Sequence, residues 1–154
     1  MVIWFTGQPG SGKTTLSNEF AEKVMYSHFY LKDKIIQIDG DDLREVLDNK
    51  DYSEKGRRKN IQFAIDMAKV MESKGYLVLV SLVSPYRDMR EKLKSNRNIA
   101  EFYIHSTRPT EKEQYWVDDY QPPLTNFTDI NADKSIKECV DEIFDVYRQM
   151  AAVA

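Results

Sequence analysis

Val2-Ile3-Trp4-Phe5-Thr6-Gly7-Gln8-Pro9-Gly10-Ser11-Gly12-Lys13-Thr14-Thr15 carries a short apolar run straight into G-x-x-x-x-G-K-T. A buried strand feeding a helix is the setting this spacing requires. Glycines let the backbone turn tightly, so that successive N–H groups face a polyphosphate. Lys13 is placed to reach the β- and γ-phosphates and Thr14 to ligate Mg²⁺, while the following helix offers its positive end. A chance Gly/Ser-rich turn would not satisfy every fixed position in this context. The segment from Gly7 to Thr15 is read as the cradle of a nucleoside triphosphate.

Outward from that loop, apolar runs alternate with helical patterns, which predicts an α/β fold with a central parallel sheet. Val2–Phe5 is the first strand, and Leu16, Phe20 and Val24 lie at i, i+4 on the helix behind it. A second strand is expected at Ile35–Ile38, leading into Asp39-Gly40-Asp41. A short helix follows with Leu43, Val46 and Leu47. Ile61, Ala64, Ile65, Ala68 and Met71 form the stripe of a long helix that Lys74-Gly75 ends. Tyr76–Val83, the longest apolar run, is the candidate for a central strand buried on both faces. Helix is expected over Tyr86–Lys94, strand at Phe102–Ile104 and a short last strand within Asn126–Asn131. The closing helix carries Ile136, Val140, Ile143, Phe144 and Tyr147, with Asp133 or Ser135 near its cap. Thr107–Thr125, aromatic and proline-containing, reads as a lid-like excursion. The pattern makes residues 1–154 one domain, a three-layer sandwich of the P-loop NTPase type.

Composition narrows the class. The chain has 154 residues, 42% hydrophobic and 31% charged, with a net charge of −3, so a broad nucleic-acid-binding face is not expected. Cys139 is the only cysteine. An internal disulfide is excluded, a reducing, cytoplasmic setting is expected, and the thiol falls beside the closing helix's apolar stripe. The N-terminal apolar run is too short for a secretory leader, and no stretch approaches a membrane span.

Absences separate the classes that share this loop. The late Asn-Lys-x-Asp base reader of a guanine switch is missing. The central strand ends Val80-Ser81-Leu82-Val83-Ser84-Pro85, without the Mg²⁺-directing acid of an ATP-driven motor. A small phosphotransferase remains, and it needs a group to orient and deprotonate an acceptor hydroxyl. Asp39 and Asp41, two apart at a strand's carboxyl end, are the candidates, and Asp42 is expected to begin the next helix. Capping of that helix is the plainer use of these acids.

At this point the chain resembles the adenylylsulfate kinases. Ile38-Asp39-Gly40-Asp41-Asp42-Leu43-Arg44, Asp51-Tyr52-Ser53, Arg57-x-x-Asn60-Ile61 and Val83-Ser84-Pro85-Tyr86 follow the phosphate loop in that family's order and spacing. The resemblance covers roughly the first two-thirds of the chain, and the later motifs are far more selective than the loop alone. It implies transfer of the ATP γ-phosphoryl to the 3′-hydroxyl of adenylylsulfate, with Mg²⁺ held by Thr14, Asp39 and Asp41. Catalysis would fall to Lys13 and Asp41. Asp41, Arg44, Tyr52, Arg57, Asn60, Val83 and Ser84 would form the acceptor site, Tyr52 stacking on the adenine. Arginine forks suit anionic oxygens and an aromatic face suits a purine, whatever the family. A homodimer stays open.

The resemblance breaks after Asn60-Ile61, where the family's second arginine pair is Gln62-Phe63, and again in the lid. Glu111-Lys112-Glu113-Gln114-Tyr115-Trp116 lacks the family's lid motif, and the stretch before the last helix is shortened. Arg87, Arg90 and Arg108 are candidates to replace the missing charge. Two other readings therefore stand beside the first: a kinase for another nucleotide, nucleoside or polar metabolite, and a nucleotide-binding regulator that does no chemistry.

Overall fold

Alternation along each strand decides which helix layer its side chains meet. In a computed structural model describing residues 1–95 and 97–153, the strands are β1 (Val2–Thr6), β2 (Ile35–Asp39), β3 (Leu77–Ser81), β4 (Ile99–His105) and β5 (Thr128–Asn131). All pair in parallel, in the order β2-β3-β1-β4-β5. β1 and β3 are buried along their whole length, whereas the edge strands β2 and β5 are partly open.

Ile3 and Phe5 of β1 turn to one side, joining Leu79, Phe102 and Ile104 beneath α1 (Lys13–Ser27) and α5 (Ile136–Val153). The stripe Leu16, Phe20, Val24 packs there as its spacing demands, and Cys139 with it; burial pushes the thiol pKa up. Val2 and Trp4 turn to the other side, with Val78 and Val80. They meet α2 (Gly40–Val46), α3 (Glu54–Ser73) and α4 (Arg87–Lys94) through Leu43, Ile61, Ala64, Ala68 and Leu93. The result is the expected three-layer sandwich. Each such buried aliphatic or aromatic side chain contributes about 1.5–3 kcal/mol of burial free energy.

Several boundaries differ from the sequence reading, each for a local reason. β3 ends at Ser81 rather than Val83, because Ser84 adopts φ 39° ahead of Pro85. The helix after β2 starts at Gly40, not Asp42, with Asp39 as its cap: the Asp39 carboxylate accepts the Asp41 N–H at 2.9 Å. Ser53 caps α3, and Gly75, at φ 87°, follows its end. Ser135, not Asp133, caps α5 by accepting the Glu138 N–H at 3.1 Å. Asp133 instead accepts from the Ser106 and Thr107 hydroxyls and the Thr107 N–H, and these bonds, Thr107 first, hold its pKa down to about 2. The lid is irregular chain around one 3₁₀ turn, Glu111–Tyr115, closed by a Thr110/Glu113 capping box.

Because every strand runs the same way, Thr6, Asp39 and Ser81 end on one edge of the sheet, Asp39 in register with Ser81 and Phe5 with Ser81. Ligands of open parallel sheets bind along that edge.

Candidate functional site

The phosphate loop leaves β1 at this edge under two steric constraints. A side chain at Gly7 would bring its Cβ to 2.2 Å from the Ile104 carbonyl oxygen, so β4 itself demands glycine there. Gly10 sits at φ 79°, and a Cβ on it would meet the Thr110 hydroxyl at 2.5 Å, so the lid demands the second. Inside the loop, Lys13 is 8% exposed and folds back to donate to the Gly7 carbonyl at 2.9 Å and the Gln8 carbonyl at 2.8 Å. Burial pulls its pKa down to about 8; Asp39 and Asp41 oppose the shift and Lys112 adds to it. A buried ammonium held by two carbonyls and, at 3.5 Å, the Ser11 hydroxyl, with no carboxylate among the described residues bonded to it, is a site prepared for anionic oxygen.

The Thr14 hydroxyl donates to Asp39 Oδ2 at 2.7 Å, across the mouth of the loop. These are hard oxygen donors, the kind Mg²⁺ accepts alongside phosphate oxygens and water. No cluster of three or more His, Cys, Asp or Glu able to hold a metal occurs among the described residues. Asp39 therefore does two jobs, capping α2 and facing Thr14. Asp41 stands in the first turn of α2, exposed, so helix geometry and not strand alternation brings it beside Asp39.

A cavity of about 780 Å³ opens over this edge. Pro9, Gly10, Gly12, Lys13, Thr14 and Thr15 line one end. Asp39, Asp41, Arg44, Tyr52, Arg57, Asn60, Val83 and Ser84 line the rest, so the residues expected to hold donor and acceptor share one space. Gly7, Gln8 and Ser11 stand apart from it. Gly7 is buried under the loop, while Gln8 and Ser11 line a smaller pocket of about 300 Å³ beyond it.

Details separate the acceptor-side residues. The Arg44 guanidinium donates to the carbonyls of Asn49 and Asp51 at 3.0 and 3.1 Å and lies over the Tyr52 ring, 4.0 Å from its centroid. It builds the loop that presents Tyr52 and covers one face of that ring. Arg57 forms no ion pair among the described residues. Asn60 is 5% exposed and its Oδ1 has no hydrogen-bond partner among the described residues; the Ser81 Oγ at the end of β3 is in the same position. Buried polar atoms left open beside a cavity call for a partner, which a ligand or water in that cavity can supply. The Ser84 hydroxyl, by contrast, is turned inward, accepting from the Trp4 indole at 2.9 Å and donating to Thr6 at 3.1 Å.

Lys112, Gln114, Tyr115, Trp116 and Val117 also line the cavity, and the sequence reading missed them. The Thr110-x-x-Glu113 capping signature in the lid was the available signal. Gln8 exchanges two hydrogen bonds with the backbone of Val117, both 2.9 Å, and the Trp116 indole donates to the Pro9 carbonyl at 3.0 Å. The lid is thus fastened to the phosphate loop. Arg87, Arg90 and Arg108 do not replace the missing lid charge. Arg87 donates to the Pro122 carbonyl, Arg90 is buried against Glu101, and Arg108 donates to the carbonyls of Ala132 and Lys134. Lys112 is the lid cation that lines the cavity.

The adenylylsulphate kinase family profile matches residues 1–114, from β1 through the phosphate loop and acceptor segments into the lid. The chain belongs to the adenylylsulphate kinase family. The adenylyl-sulfate kinase of Geotalea daltonii is 38% identical over 104 residues, 66% of this chain and 49% of that protein. The chain thus spans about half the length of such curated relatives. The adenylyl-sulfate kinase of Chloroflexus aurantiacus is 28% identical over an alignment of 174 positions, 99% of this chain and 91% of the relative. That alignment is longer than the chain's 154 residues, so the relative carries segments this member of the family lacks. Among solved structures, a mutant APS kinase of Mycobacterium tuberculosis superposes with a TM-score of 0.75 at 25% identity, covering 96% of each chain. The family's fold therefore continues past the point where its sequence profile stops.

Proposed function

We propose that this chain is an ATP-dependent kinase that transfers the γ-phosphoryl group to the 3′-hydroxyl of adenylylsulfate, giving 3′-phosphoadenylylsulfate. The observation that carries this reading is the single cavity in which the phosphate loop faces Asp41, Tyr52, Arg57 and Asn60. Family membership supports it. Lys13 would leave the Gly7 and Gln8 carbonyls for the β- and γ-phosphates, regaining a full charge partner. Thr14 and Asp39 would hold Mg²⁺, which neutralises charge on those phosphates when bound. Asp41 would accept the proton of the attacking hydroxyl as its oxygen bonds to the γ-phosphorus and the bridge to ADP breaks. Arg57 would pair with the acceptor's anionic oxygens and Asn60 Oδ1 would accept one of its donors. Tyr52 offers the adenine the ring face that Arg44 does not cover, with Val83 and Ser84 walling the same end. Gly7, Gln8 and Ser11 would serve ATP through the loop backbone, and Lys112 from the lid would add charge over the phosphates. A lone, buried Cys139 suits a reducing, cytoplasmic setting, and no helix among the described residues is long and apolar enough to cross a membrane.

One observation favours keeping the chemistry while changing the acceptor. The lid residues facing the cavity, Lys112, Gln114, Tyr115 and Trp116, differ from the family's motif, and lids select substrates. ADP release with adenylylsulfate, with the product identified by mass, tests the first reading. An adenylylsulfate-dependent rate and a phosphorylated nucleotide product are expected. No rate above the acceptor-free background would overturn it.

A further inference from the structure

Arg90 is the largest buried charge that the proposed chemistry does not use. It sits on α4, 1% exposed, with each guanidinium nitrogen engaged. Nε donates to Glu101 Oε1 at 3.0 Å, Nη1 to the Ser84 carbonyl and Nη2 to the Gln121 carbonyl. The other Glu101 oxygen lies 2.5 Å from Lys94 Nζ, which also donates to the Thr125 carbonyl at 2.8 Å. The guanidinium carbon stands 5.6 Å from the centre of the Tyr120 ring, whose hydroxyl pairs with Thr6 Oγ1 at 2.7 Å. Three segments meet in this one polar knot: the end of β1 that starts the phosphate loop, the turn after β3 that walls the acceptor end, and the chain returning from the lid.

A buried Arg–Glu pair is a poor device for stability alone, since a well-packed apolar pair serves as well. What arginine adds is a planar fork that can hold two carbonyls from separate segments at fixed spacing. One of them belongs to Ser84, whose φ of 39° is uncommon for a residue with a side chain and calls for support from its surroundings. We infer that Arg90 is a positioning residue: it fixes the Val83–Pro85 turn against the lid's return segment and thereby sets the acceptor end of the cavity. This rests on the kinase reading above. Arg87 reinforces the joint by donating its N–H to Gln121 Oε1 at 2.9 Å. The lid's base is therefore held from two positions of α4.

Arg90→Lys and Arg90→Met test this with adenylylsulfate and ATP as the probes. Lysine keeps a cation for Glu101 but cannot span both carbonyls. The acceptor kcat/KM should fall about tenfold to hundredfold in both variants, as small misplacements do, while calorimetric ATP affinity stays within about twofold. In a Trp116→Phe background, Trp4 becomes the sole indole, and loss of the Ser84 hold should shift its emission in Arg90→Lys. Wild-type acceptor kinetics in Arg90→Lys, equal damage to both substrates, or a chain that cannot fold with lysine there would each overturn the inference. Should wild-type protein show no adenylylsulfate-dependent rate, the kinase reading fails instead. The Trp4 emission and amide exchange at Gln121 still decide whether Arg90 holds the joint.

Discussion

Lys13 folded onto its own loop carbonyls makes a definite statement about pH. Its pKa near 8, lowered chiefly by burial, means that without ATP the folded chain sheds this proton above about pH 8. The unfolded chain keeps it until about 10.5, so between those values unfolding takes up a proton and the apo protein gains stability as pH rises. ATP reverses the balance by giving the ammonium phosphate partners. Binding should take up close to one proton at about pH 9, little at about pH 7, and affinity should fall up to tenfold per unit above pH 8. Calorimetry in two buffers of different ionisation heat measures this directly; Lys13→Ala should abolish the uptake, and wild-type binding without uptake would contradict the account. Asp41→Asn should behave otherwise, binding ATP normally but turning over about 10²–10⁴ times more slowly. Near-normal turnover would reduce Asp41 to a residue of the α2 first turn. Arg57→Ala should raise the acceptor constant alone, since a charge-assisted bond to an anion contributes about 1.5–3 kcal/mol. Equal damage to the ATP constant would place Arg57 elsewhere. That Lys13, Asp41 and Arg57 share one cavity was legible because each sits in a motif that is local in sequence. Arg44 and Ser84 line the same cavity, but their hydrogen-bond partners were not legible: the loop carbonyls that Arg44 donates to and the Trp4 indole that donates to Ser84 lie in irregular or distant chain.

The elements that pattern decides were read correctly, because α1 and α3 carry apolar stripes and β1 and β3 are apolar throughout. Boundaries failed where a side chain overrode the period. Asp39 captured the Asp41 N–H and started α2 early, and the Ser84 turn cut β3 short. The lid was legible as an excursion over Thr107–Thr125 but not in its shape, because it has no periodicity and is fastened to the loop it covers. That dependence predicts the behaviour of the Gln8–Val117 pair. Gln8→Ala removes two hydrogen bonds that contribute about 1 kcal/mol each, so the lid should open more readily by about 2 kcal/mol. Amide exchange at Val117 should accelerate by roughly thirtyfold, while amides of β1 stay protected. Unchanged exchange at Val117 would mean that Trp116 and Thr110 hold the lid by themselves.

At the scale of the whole molecule, parallel strands bring the phosphate loop, the Asp39–Arg44 segment and the β3 turn to one edge, and the lid alone roofs the cavity they form. A kinase must keep water from the γ-phosphate while admitting the acceptor hydroxyl, and closure of the roof does this. Here the roof is one 3₁₀ turn and the residues just after it, contributing Lys112, Tyr115 and Trp116 to the cavity, and its base is held through Arg87 and Arg90. Such a short cover is expected to exclude water incompletely. ATP hydrolysis without acceptor should therefore be measurable, and Trp116→Ala, which removes the indole bonded to Pro9, should raise it relative to transfer. Adenylylsulfate should suppress the hydrolysis as it fills the space between Tyr52 and the lid. Nucleoside monophosphates lacking the sulfate should suppress it less, having fewer anionic oxygens for Arg57. Parallel assays of ADP release and phosphorylated product give both rates. If no acceptor suppresses hydrolysis and none is phosphorylated, the chain is a nucleotide-binding member of its family that has lost the transfer step. If a free nucleoside is phosphorylated and adenylylsulfate is not, the altered lid has redirected the same machinery to a new hydroxyl.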